Sequence, residues 1–288
     1  KSAAKPAPVR DRMAQQGPDI DELDKIKLQD NPTEQQVRDY ISFIRRASEG
    51  QTTWSETDPQ VRMYIKVGSQ NLPLLVEALQ RGRGNYHLQR AVIKLADDAH
   101  KQLILDALPD SPTLVTAVRA NGWEAEAKPV LLAILKDAPN YLPNDFIEAV
   151  ADYGDPETYA DLANFLVIGG NTWWTYSAIR DAPGIQLDEP VKQMWLKKKR
   201  SHEYERRSAA RVAIDFGHVD ALGYLIDWMA GDTDNEWEGN EIRRDVLRVV
   251  PIRGSDQELR DWFNTNKDKL TFNASLKKYE VGAAPVAP

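Results

Sequence analysis

The sequence predicts an all-α fold: a stack of about seven helix pairs behind an N-terminal capping helix. Two observations carry that prediction. A glycine or glycine-like break recurs at Gly68, Asp97-Asp98, Gly122, Gly154, Gly184, Gly217 and Gly254, spanning 186 residues in six steps, a mean of 31. Thirty-one residues accommodate two short helices and two turns. Between the breaks, apolar residues fall at helical spacing and no segment sustains strict alternation, so a sheet is not expected.

The elements follow in order. Residues 1–30 carry proline and charge without sustained periodicity and read as a linker or arm. Thr33–Ser48 places Val37, Tyr40, Ile41 and Ile44 on one face and reads as a cap over the open end of the stack. First helices of the pairs are expected at Val61–Val67, Leu88–Ala96, Thr113–Asn121, Asn144–Tyr153, Trp173–Asp181, Glu203–Phe216 and Asn240–Val250. Second helices are expected at Leu72–Gln80, Lys101–Ala107, Glu124–Lys136, Pro156–Val167, Asp188–Lys198, Val219–Met229 and Ser255–Lys267. Lys128-Pro129 interrupts the third pair and moves the expected start of its second helix toward Pro129. Phe272–Tyr279 is placed as a closing segment, so the stack covers residues 31–275 and a tail covers 276–288.

Starts and stops have physical signatures. Asp58-Pro59, Ser111-Pro112 and Asp155-Pro156 set a capping side chain before a proline whose missing N–H costs nothing at the first helical position. Thr33-x-x-Gln36 and Ser255-x-x-Glu258 are capping-box patterns. Gly122, Gly154 and Gly217 supply left-handed residues where helices end. In the sixth pair Leu222, Leu225, Ile226 and Met229 form an apolar stripe, and in the fourth Tyr159, Leu162, Ala163 and Leu166 do the same. Helices this short are marginal alone, so each pair must bury its stripe against the next.

Two stretches carry a family resemblance. Phe146 to Glu157 and Ser208 to Asp220 both show small and apolar residues every three or four positions, then Gly, a polar residue and a new helix. This pattern resembles HEAT and related armadillo-type repeats over roughly residues 58–267. The resemblance implies a right-handed α-α superhelix whose second helices line an inner face, commonly used to hold protein or peptide partners. A minority of similar proteins bind nucleic acid or have acquired catalysis, and fold alone does not choose among these.

Composition narrows the options. The 288 residues carry a formal net charge of −7, which repels phosphate backbones as a whole and argues against a general nucleic-acid binder. The absence of cysteine excludes disulfides, thiolate metal sites and a cysteine nucleophile. No run of 18 apolar residues offers a membrane span. The opening Lys1-Ser2-Ala3-Ala4-Lys5-Pro6-Ala7-Pro8, with no initiator Met, resembles the tract that follows a removed leader, so an exported or periplasmic location is the expectation.

Binding candidates come from tryptophan and charge. Of eight tryptophans, Trp228 and Trp262 sit inside apolar stripes and read as core. Trp173 and Trp174 are adjacent and point about 100° apart on a helix, so one of them is free to reach a groove. The stretch 192–211 holds Lys192, Lys197, Lys198, Lys199, Arg200, Arg206, Arg207 and Arg211 against Glu203 and Glu205, with Trp195 and Tyr204 interleaved. It reads either as a patch for an acidic partner or ligand, or as a solvated segment paired with the acidic remainder of the chain. The partner-binding set is therefore Trp173, Trp174, Trp195, Lys192, Lys199, Arg207 and Arg211.

Chemistry-bearing motifs are scarce. The loop with Asp232, Asp234 and Glu236 spaces carboxylates as a hard cation would want, but Trp237 and Arg243 stand where a calcium loop needs Gly and Glu. His87, His100, His202 and His218 form no zinc-protease pattern, and Arg81-Gly82-Arg83-Gly84-Asn85 lacks the phosphate-loop ending. Asn273-Ala274-Ser275 is a glycosylation sequon, a pattern frequent by chance. No cofactor and no catalytic residue is implied. The expected function is a protein- or peptide-binding scaffold, with anion binding through 192–211 as the alternative and a groove-built enzyme third.

Overall fold

The computed structural model describes residues 28, 30–47, 58–81, 86–138, 141–231 and 236–282, the side chains of Glu236 and Trp237 excepted. Among them run fifteen α-helices, several short 3₁₀ turns and one two-stranded hairpin. The described residues are thus all-α but for that hairpin. The chain divides into two compact units, residues 1–127 and 128–288.

Among the described residues the first helix of this unit is α1 (Glu34–Ala47), whose Val37, Tyr40, Ile41 and Ile44 are buried. Its capping box forms: Thr33 N donates to Gln36 Oε1 at 2.8 Å and Gln36 N to Thr33 Oγ1 at 3.3 Å. There follow α2 (Pro59–Ile65), α3 (Leu72–Arg81), α4 (Tyr86–Leu95), α5 (Lys101–Ala107) and α6 (Val115–Asn121). α1 packs on α2 and α3. Beyond it α2, α4 and α6 lie against one another in succession, and α3 packs on α5. Gly122 ends α6 at φ +72°, a left-handed backbone that costs glycine nothing. Asp58 departs from its expected capping role: its side chain makes no cap bond and instead meets the buried His87 at 3.1 Å.

Helix α7 (Glu124–Asp137) matches the expected Glu124–Lys136 and runs straight through Pro129, so the alternative late start at that proline is corrected. Trp123 explains the earlier start. Its carbonyl accepts from Ala127 N at 3.0 Å, and its indole is 1% exposed with Nε1 donating to Asp98 at 2.9 Å.

The second unit contains α8 (Asn144–Ala151), α9 (Pro156–Ile168), α10 (Thr172–Ile179), α11 (Asp188–Lys198), α12 (Glu203–Ala213), α13 (Val219–Met229), α14 (Glu236–Val249) and α15 (Asp256–Asn266). α8, α10, α12 and α14 pack successively, each on the next. On the other side α9 packs on α11 and α13 on α15. Asp155 caps α9 by accepting from Thr158 N at 3.0 Å, and Ser255 with Glu258 forms the capping box of α15.

The expectation of no sheet is corrected at the end of the chain. Strands β1 (Leu270–Asn273) and β2 (Lys278–Val281) form an antiparallel hairpin across the boundary drawn at residue 275. Each strand is four residues long, too short for alternation to register. The turn is set by Asn273, whose Oδ1 accepts from Ser275 Oγ and Leu276 N, which also engages the amide of the sequon. Tyr279 is fully buried and β2 packs on α14. Phe272 lies over Gly217, where a Cβ would stand 2.7 Å from it, so Gly217 is required both by its φ of +80° and by this approach.

Trp195 repeats the Trp123 device in this unit: it is 2% exposed and its Nε1 donates to Asp220 at 2.9 Å. Trp195→Ala is expected to cost about 4 kcal/mol in urea unfolding through lost packing, whereas Trp195→Phe, which mainly removes the hydrogen bond, costs about 1 kcal/mol. Equal losses for the two variants would contradict this division.

Candidate functional site

A cavity of about 430 Å³ opens where α10, α12 and α14 lie side by side, walled by Trp173, Trp174, Tyr204, Arg211, Glu238 and Glu241. Gly170, Asn171 and Ser208 complete it. The walls belong to helices predicted as first members of their pairs, not to the second helices that the family resemblance favours.

Local hydrogen bonding fixes the tryptophans. The first turn of a helix has N–H groups without intrahelical acceptors. At α10 one of these, Trp173 N, donates to Ser208 Oγ of α12 at 3.1 Å. Just before the helix, Asn171 Nδ2 donates to the Leu142 carbonyl and to Asn144 Oδ1. With α10 so anchored, Trp173 is half-buried and Trp174 stays 47% exposed. Tyr204, at the start of α12, is 66% exposed. The two most open walls are therefore aromatic.

Beneath them lies a guanidinium–carboxylate ladder. Arg207 and Arg211 sit four apart on one face of α12, and Glu238, Glu241 and Asp245 sit three and four apart on one face of α14. Arg207 meets Glu238 through two bonds, Nε to Oε1 at 2.8 Å and Nη2 to Oε2 at 3.1 Å, and its Nη1 reaches Glu203 at 2.7 Å. Arg211 Nε donates to Asp245 at 2.7 Å and its Nη2 to Glu241 at 3.2 Å. Each guanidinium also lies over a ring, Arg207 over Trp228 at 4.8 Å and Arg211 over Trp173 at 4.2 Å. Burial pushes the Asp245 carboxyl up and the Arg211 guanidinium pulls it back. Arg248 extends the ladder to Asp215 at 2.5 Å, where Tyr176 Oη also donates at 3.0 Å.

The predicted site residues thus separate. Trp173, Trp174 and Arg211 meet at the cavity, and Arg207 supports its floor through Glu238. Trp195 is withdrawn from the set because its indole is core. Lys192 is exposed beside Glu189, and Lys199 lies 3.7 Å from Asp220, both away from the cavity lining. Asp232 and Asp234 fall outside the described residues, as does the side chain of Glu236. Asn171, Ser208 and Glu241 were not anticipated. A signal for Glu241 does exist: it lies one repeat length beyond Arg211.

Lys198, in the middle of the basic stretch, is buried at 4% exposure. It donates to the Gly169 carbonyl just past the end of α9 and to Thr172 Oγ1 at the start of α10. Burial pulls its ammonium down to about 8, with Glu205 opposing.

No family model, no curated protein and no solved structure matches this chain.

Two measurements test this geometry. Asp245→Asn leaves Arg211 without its main partner and is expected to cost about 3 kcal/mol by urea unfolding; the double variant with Arg211→Met recovers part of that loss. For Lys198, the unfolded side chain titrates near 10.4, so between about pH 8 and that value the unfolded chain holds a proton that the folded chain has released. Stability then rises with pH across the window. Relative to Lys198→Met, the unaltered protein is expected to gain about 2 kcal/mol between pH 7.5 and 9.5. A pH-independent difference would count against a buried, depressed amine.

Proposed function

We propose that the helices form a right-handed superhelical stack of about seven pairs, of the HEAT or armadillo type, and that the chain is a scaffold that binds a protein or peptide partner. The cavity at α10, α12 and α14 is where the partner docks. The observation that carries the reading is the convergence of two neighbouring tryptophans and a tyrosine, two of these rings open to solvent, on a rigid charged floor. Rigid aromatic faces over neutralised charge suit a peptide segment, because they offer contact area at little entropic cost. The successive packing of α8, α10, α12 and α14 supports the stacked architecture.

The alternative, anion binding by the whole basic stretch, is less favoured because Lys199, Arg207 and Arg211 meet carboxylates within the protein and Lys198 is buried against a carbonyl and a hydroxyl. A partner docked on the aromatic cavity binds with shallow salt dependence, whereas a charge-driven one weakens steeply.

A photo-crosslinking residue placed at Tyr204 in the source cell would capture the partner for identification by mass spectrometry. Its purified form is then expected to bind Trp174→Ala roughly 30-fold more weakly, as for a hot-spot residue worth about 2 kcal/mol, with Trp262→Phe as the unaffected control. A captured partner whose affinity ignores both Trp174 and Tyr204 would sink the proposal.

A further inference from the structure

The walls of the aromatic cavity carry two carboxylates, Glu238 and Glu241, to one cation, Arg211. Arg211 is itself occupied by Asp245, Glu241 and the Trp173 ring. Two further arginines reach the wall carboxylates from outside the lining. Glu238 shares Arg207 with Glu203, and Arg244 Nη2 donates to Glu241 Oε1 at 2.6 Å. With each arginine counted once, the carboxylates of Glu203, Glu238, Glu241 and Asp245 outnumber the guanidinium groups of Arg207, Arg211 and Arg244 by one among the described residues.

These acceptors are open to water. The Glu238 side chain is 18% exposed and that of Glu241 24%. A carboxylate oxygen accepts a second hydrogen bond beyond the arginine it already holds. Asn171 adds an acceptor of its own. Both hydrogens of its Nδ2 are spent, on the Leu142 carbonyl and on Asn144 Oδ1, so the amide is turned with Oδ1 left over, and among the described residues nothing donates to that oxygen.

The rings point the same way. Guanidinium groups already lie over Trp173 and Trp228 in this fold. Trp174 and Tyr204, the most exposed rings of the cavity, have no cation over them among the described residues. The face of an aromatic ring is the negative part of its quadrupole. Open faces beside an excess of carboxylate therefore favour a cation.

We propose that this cavity seats one guanidinium, from an arginine side chain of the docked segment. The inference rests on the reading of the cavity as a docking site and names the side chain that enters it. The guanidinium plane lies against the Trp174 ring, its edge donates to Asn171 Oδ1 and to the wall carboxylates, and Tyr204 packs on its aliphatic stem. A planar fork of donors suits dispersed acceptors and a flat ring better than the point charge of an ammonium does. Its single charge offsets the local excess.

The test is an NMR titration of the whole protein that follows the Trp174 indole Nε1–H signal, assigned by its loss in Trp174→Phe. The probes are N-acetyl-L-arginine amide and N-acetyl-L-citrulline amide, alike in length and planarity and different in charge. The arginine probe is expected to shift the signal saturably in the millimolar range, and the citrulline probe to bind roughly tenfold more weakly. Glu241→Gln, which keeps the shape of the wall, and Tyr204→Ala, at an exposed position, are each expected to weaken the arginine probe several fold, and Trp262→Phe to leave it unchanged. No saturable shift with the arginine probe, or an equal response to citrulline, would overturn the proposal. The two readings fail separately. A captured partner that needs Trp174, with no response to the arginine probe, defeats only the guanidinium seat. An arginine-selective shift with no partner dependent on Trp174 upholds the seat and defeats the scaffold.

Discussion

Every element of this protein is too short to stand alone. Helices of seven to fourteen residues gain little from their own hydrogen bonds, because nucleating a helix costs more than a few turns return. What holds each one is the apolar stripe it shares with its neighbours. That constraint explains why the buried residues recur at three- and four-residue spacing all along the chain, and why the polar chemistry collects where adjacent helices cannot close on each other with aliphatic side chains alone. Between α12 and α14 the contact is made by arginine and carboxylate. There α12 buries Ala209, Ala210, Val212 and Ala213, and Arg207 and Arg211 reach across to Glu238 and Asp245 of α14.

Much of the fold was legible because short helices announce themselves at both ends. The left-handed glycines and capping boxes sit where the residue types place them, and all fourteen segments assigned to pairs are helical within a few residues. The start of α7 falls at Glu124, within the expected Glu124–Lys136, and only the alternative start near Pro129 is not taken. One feature escaped. The hairpin depended on turn chemistry at Asn273 and on burial of Tyr279, neither of which leaves a periodic trace in four-residue strands.

The candidate site was legible in part. Adjacent tryptophans at 173 and 174 must diverge on a helix, and that geometry alone sent one of them to the surface. Trp195 misled because an indole beside lysines reads the same whether its partner is a ligand or, as here, Asp220. The basic stretch misled in a related way. Seen linearly it is a block of eight cations; folded, its members point to different helices, and Arg207 and Arg211 find carboxylates of α14 some thirty residues further on.

That offset of about thirty residues has a consequence for how the chain can vary. Arg207, Arg211 and Asp215 are matched to Glu238, Asp245 and Arg248 across 31 to 34 residues, so the partners belong to different helices rather than to the same one. Duplicating or deleting a unit between α12 and α14 would set buried guanidinium groups against the wrong helix. Elsewhere a unit joined mainly by aliphatic contacts could be gained or lost with less penalty. The charged seam therefore acts as a register key, and related chains of different length would be expected to differ in unit number on either side of it rather than across it.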